Sequence, residues 1–119
     1  MNKTSYSKIP RTIVVGGQSV RTCFVDKLKD DCLGTCHLPS GTIEISETCI
    51  DGSSHSESSK RNTFFHELTH AILDTMGEYK LSRNEKFVCA FSSFLCEAMK
   101  DAIFIYEENG EENIPQIPH

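Results

Sequence analysis

The pattern of apolar and polar positions divides the chain into a β-rich first half and a helical second half. Thr12-Ile13-Val14-Val15 is a short β-prone run, and Gly16-Gly17-Gln18-Ser19 signals a turn. From Val20 to Val25, one set of alternating positions (Val20, Thr22, Phe24) opposes another (Arg21, Cys23, Val25). The two runs predict a hairpin. Lys27 to Asp31 is charged and reads as a loop or short helical turn. A second hairpin is predicted where Leu33–Leu38 and Thr42–Ser46 bracket Pro39-Ser40-Gly41. In Thr42-Ile43-Glu44-Ile45-Ser46 the two isoleucines face a core and Glu44 faces solvent, and this run is expected to be an edge strand to which an extended peptide could add. Residues 47–59, rich in Ser, Gly and Asp, form the longest loop.

The period then changes from two to 3.6. Phe65, Leu68, Ile72 and Met76 recur at three- and four-residue spacing, with Phe64 and Ala71 beside them. This predicts a helix from about Lys60 to Met76, with Ser58 and Ser59 as N-terminal caps and Gly77 as the C-terminal cap. A short link reaches Ser82, and a second helical pattern runs to about Tyr106. Its apolar stripe comprises Phe87, Val88, Phe91, Phe94, Leu95, Ala98, Met99, Ala102 and Ile103, and it is expected to pack against the first helix. Residues 1–10 read as a polar lead-in and 107–119 as an acidic, weakly ordered tail. The expectation is one α+β domain over residues 1–119, with its core at about 11–106. A small antiparallel or mixed sheet would pack on two main helices.

Composition is that of an ordinary globular domain, with 38% hydrophobic and 24% charged residues. The net charge of −5, with no Lys/Arg cluster, argues against nucleic acid as a partner. No window resembles a membrane span. The first residues carry no apolar leader, which implies residence in the cytoplasm. The six cysteines are accordingly expected to be reduced. Cys89 and Cys96 are read as small buried hydrophobes on the second helix, ~10 Å apart and too distant to pair.

Candidate chemistry concentrates in His66-Glu67-Leu68-Thr69-His70, an H-E-x-x-H element. A helix turns about 100° per residue, so His66 and His70 share a face about one turn apart and can grip one metal ion. Glu67 is then placed as general base for a water on that ion. Catalytic zinc takes three protein ligands. Residues Leu73 and Met76 stand where another zincin pattern would need Gly and His, which leaves a carboxylate from the next helix. Glu85 is the candidate, ahead of Glu78, Glu97 and Asp101. It has a competing role: Ser82-Arg83-Asn84-Glu85 spells a capping box. Asp74, four residues after His70, could orient a ligating imidazole or be an exposed acid. Tyr79, His55 and His37 are candidate oxyanion donors.

These residues resemble the gluzincin pattern, in which the third zinc ligand is a glutamate on the following helix. Residues Glu85 to Leu95 are similar to the E-x-x-A-x-x-F-A-x-x-L-L stretch of ImmA/IrrE-type metallopeptidases, although Val88 replaces the usual Ala and Cys89 the usual Asn or Asp. The resemblance implies a minimal zincin-like fold, a cytoplasmic and often phage-borne protein, and one zinc per chain. The expected function is a zinc metalloendopeptidase acting on a peptide or protein. Two alternatives stand beside it. One is a zinc-binding regulatory module of phage origin with weak or no turnover. The other is a structural zinc site at Cys32, Cys36 and His37 with Cys23 and Cys49, although the spacing is not C-x-x-C.

Overall fold

A computed structural model describes residues 9–105. The expected lead-in at residues 1–8 and the expected tail from 107 onward lie outside the described residues. Four strands form one sheet: β1 (Thr12–Val15), β2 (Gln18–Val25), β3 (Gly34–His37) and β4 (Thr42–Ser46). Three helices follow: α1 (Glu57–Met76), α2 (Tyr79–Ser82) and α3 (Glu85–Lys100). The fold is a small α+β domain with a mixed sheet. No helix among the described residues is long and apolar enough to cross a membrane.

Both expected hairpins form. β1 pairs antiparallel with β2, and β3 pairs antiparallel with β4. The second hairpin turns through Gly41, whose φ of 65° is left-handed, and a Cβ there would meet the Ser19 carbonyl oxygen at 2.7 Å. The hairpins join through β2 and β4, which run parallel, giving the order β1-β2-β4-β3. One expectation is thereby corrected. Thr42–Ser46, which sequence reasoning took as the edge strand beside the site, is interior, and β3 is the edge. Ile43, Ile45 and Ser46 are fully buried, as suits a strand paired on both sides.

α1 lies across the sheet. Phe64, Phe65 and Leu68 enter a core with Val15, Val20, Ile43 and Ile45, and the two phenylalanine rings meet edge to face at 5.2 Å. The helix begins three residues earlier than expected, because Ser56 rather than Ser58 or Ser59 caps it; the Ser56 hydroxyl accepts from the Ser59 amide at 3.2 Å. Gly77 ends it in the left-handed conformation, as expected.

α3 packs along α1 through Val88, Ser92 and Cys96, three residues four apart on one stripe. The expected apolar stripe is only partly used. Phe91, Phe94 and Met99 face solvent, and the helix stops at Lys100, well short of Tyr106. Only Val88, Ser92 and Cys96 are buried along this helix, so its inner face is narrower than its apolar one. Cys96 is buried as expected, whereas Cys89 is exposed, where a cleft opens between α3 and α1.

Candidate metal centre

Three elements converge on one point. α1 supplies His66 and His70 from adjacent turns, with ring centroids 5.0 Å apart. α2 reverses the chain, and α3 begins at Glu85, whose carboxylate reaches both rings. His66 Nε2 lies 3.3 Å from Glu85 Oε1, and His70 Nε2 lies 3.3 Å from Glu85 Oε2. Among the described residues these three form the single group of three or more His, Cys, Asp or Glu side chains able to hold a metal, all within 4.8 Å of one another. A tetrahedral ion with bonds of ~2.0–2.1 Å needs donors ~3.3 Å apart, since the edge is 1.63 bond lengths. Each histidine–carboxylate separation, one to each Glu85 oxygen, is close to that edge and longer than a good N–H···O hydrogen bond. The donor set, two imidazoles and a carboxylate, suits zinc.

The capping box does not form. Asn84 caps α3, its side chain accepting from the Phe87 amide at 3.1 Å, so Glu85 is free to face the histidines. Ser82 has a different role. It is buried, and its Oγ lies 3.0 Å from His70 Nδ1. Were Nε2 to bind a metal, Nδ1 would carry the proton and donate to the Ser82 hydroxyl, which would hold the ring's orientation. Asp74, which the sequence left between orienting a ligating imidazole and being an exposed acid, lies in the cleft beside Cys36. His66 Nδ1 faces Cys89 Sγ at 3.9 Å. Burial first, then the neighbouring His70, lowers the His66 pKa against the opposing pull of Glu85, which favours the neutral ring a metal requires.

Glu67 follows His66 on α1 and packs under β3. A Cβ on Gly34 would meet Thr63 Cγ2 at 2.5 Å and Glu67 Cγ at 3.2 Å, so glycine permits the edge strand to lie this close. Burial, with the charge of Glu85 second, raises the Glu67 pKa to about 7. That is the range in which a carboxyl group both takes and returns a proton near neutrality. Burial and the charges of Glu67 and Asp74 likewise raise the Cys36 thiol to about 11, so Cys36 stays neutral near pH 7, and it lies outside the three-residue cluster.

Two clefts flank the three ligands. The narrower, about 410 Å³, is bordered by Gly34, Ser59, Thr63, Glu67 and Cys89. The wider, about 880 Å³, is bordered by His37, Asp74, Tyr79, Arg83 and Glu85. Of the proposed oxyanion donors, Tyr79 and His37 border the wider cleft, whereas His55 is buried and bonded elsewhere. Glu78, Glu97 and Asp101 take no part in the cluster. The cysteines do not assemble a second site: Cys32 borders one cleft, Cys36 the other, and Cys49 bonds the Ser54 carbonyl. Sequence reasoning missed Ser82 and Arg83, because both reach the site only through the turn that α2 makes. In comparisons with known proteins, the chain matches no protein-family model, no curated protein and no solved structure.

Proposed function

We propose that this chain is a zinc-dependent metallopeptidase of the gluzincin type, related to the ImmA/IrrE-type enzymes, that hydrolyses peptide bonds. The observation carrying this reading is the meeting of His66, His70 and Glu85, each histidine 3.3 Å from a Glu85 oxygen, with Glu67 next to His66 on the same helix. Zinc bound there would supply Lewis acidity and lower the pKa of a water toward ~7. Glu67 would serve as the general base for an attacking water and as the acid that returns the proton to the leaving amine. Ser82 holds His70, and Cys89 borders His66, so both rings keep Nε2 turned to the same point. Among the described residues β3 pairs only with β4, which leaves its outer edge for an extended peptide to add by backbone hydrogen bonds. A cytoplasmic setting and a phage or mobile-element origin belong to the same proposal.

Elemental analysis of the purified protein should give one zinc per chain. An unfolded protein substrate should be cut, with cleavage stopped by chelator and restored by zinc. Glu67→Gln should keep the zinc and lose the cleavage. Absence of zinc, or wild-type cleavage by Glu67→Gln, would overturn the proposal. Zinc retained without any turnover in the wild type would leave the binding-module reading in its place.

A further inference from the structure

The start of α1 carries a second constellation, outside the metal ligands. His55 is 3% exposed. Its Nδ1 lies 2.7 Å from the Ser46 carbonyl oxygen, and its Nε2 lies 2.9 Å from Ser59 Oγ. A carbonyl only accepts, so in the neutral ring Nδ1 carries the hydrogen and Nε2 is a bare acceptor. Ser59 must then donate its hydroxyl hydrogen to Nε2. Its remaining lone pairs are left for whatever enters the narrower cleft, which Ser59 borders. Ser59 is the third residue of a 20-residue helix, where the helix dipole favours developing negative charge. A hydroxyl, a base within hydrogen-bond reach, and a third group orienting that base together mark an activated nucleophile.

We infer that Ser59 is a nucleophile for an activated acyl group, an ester or thioester, with His55 as its general base and the Ser46 carbonyl holding the ring. Ser59 precedes His66 by seven residues, about 10 Å along α1 and nearly on the same face. It therefore opens into the same cleft without touching the ligands. In the acylation step the Oγ–carbon bond forms as the Ser59 proton moves to His55 Nε2. The bond from the acyl carbon to the leaving oxygen or sulfur then breaks, and His55 returns the proton to that atom. The inference goes beyond the peptidase reading and requires no metal.

The test uses 4-nitrophenyl acetate on the full chain, with nitrophenolate release followed by absorbance and the acetyl group located by peptide mass mapping. Ser58, exposed on the same helical turn, is the internal reference. Acetylation should fall on Ser59 at least about 10²-fold faster than on Ser58, in line with the gain from a positioned base. Ser59→Ala should remove it and Ser58→Ala should not. His55→Gln keeps an N–H for the Ser46 carbonyl but lacks the base, and should lower the Ser59 rate by a similar factor, with folding checked by circular dichroism. Equal rates at Ser58 and Ser59, or an unchanged rate in a folded His55→Gln, would show that His55 merely pins the loop to the helix. If that variant does not fold, the wild-type Ser59/Ser58 ratio alone decides. The readout uses neither zinc nor peptide cleavage, so this inference and the peptidase proposal fail separately.

Discussion

Gly34→Ala probes whether the edge strand and the base are matched in position. Gly34 has ordinary strand φ, so alanine introduces no backbone strain and its smaller unfolded-state entropy favours folding by ~0.4–1 kcal/mol. Against that, the new Cβ would sit 2.5 Å from Thr63 Cγ2 and 3.2 Å from Glu67 Cγ. Ordinary contact needs about 1 Å more at the first atom and a few tenths of an ångström at the second. Overpacking of this kind costs ~1–3 kcal/mol, so the net loss should be ~1–2 kcal/mol. The same displacement moves the Glu67 side chain, and a ~1 Å misplacement of a reacting group lowers turnover ~10²-fold. Thr63→Ser removes the Cγ2 methyl that clashes. The double variant Gly34→Ala/Thr63→Ser should therefore recover most of the loss, with a coupling energy of ~1 kcal/mol. Urea denaturation gives the stability arm, and peptide cleavage at constant zinc content gives the activity arm. Wild-type stability and turnover in Gly34→Ala, or no coupling to Thr63→Ser, would refute the tight placement of β3 over Glu67.

Ser82→Ala should leave the fold intact but weaken zinc binding ~10–100-fold, measured by competition with a chromogenic chelator, because His70 loses its orienting partner. The raised Glu67 pKa carries a stability signature in zinc-free protein. A carboxyl group with a folded pKa of about 7, above its ordinary value of 4.5, penalises the fold when ionised. That penalty is absent below about pH 4.5, grows between 4.5 and 7, and levels off above. Glu67→Gln should thus stabilise the zinc-free fold by up to ~3 kcal/mol at pH 8 and by almost nothing at pH 4.5, read from denaturation midpoints in chelator. Phe64→Ala, at a fully buried position packed edge to face on Phe65, should cost ~3–5 kcal/mol in the same assay.

Short-range information was enough for the elements and for most of the candidate centre. Alternation gave Ile43 and Ile45 their inward direction, Pro39-Ser40-Gly41 marked the turn, and Gly77 marked the end of α1. The four-residue spacing of His66 and His70 placed both rings on one helical face, since helical geometry is local. Glu85 could be named from the need for a third donor, but the sequence left it divided between ligand and cap. Only three dimensions show that the box does not form, because Asn84 caps α3 and Ser82 turns to His70, while Glu85 lies beside both histidines. The parallel pairing of β2 with β4, which moves the open edge to β3, was equally beyond reach. So were the solvent-facing Phe91 and Phe94, and the ties from His55 to Ser46 and Ser59. The physical reason is common to all of these. Periodicity and caps depend on residues within a few positions of one another. Strand order, the choice among competing hydrogen-bond partners and the buried half of an apolar face depend on contacts between distant segments, which are set only when the chain has closed on itself.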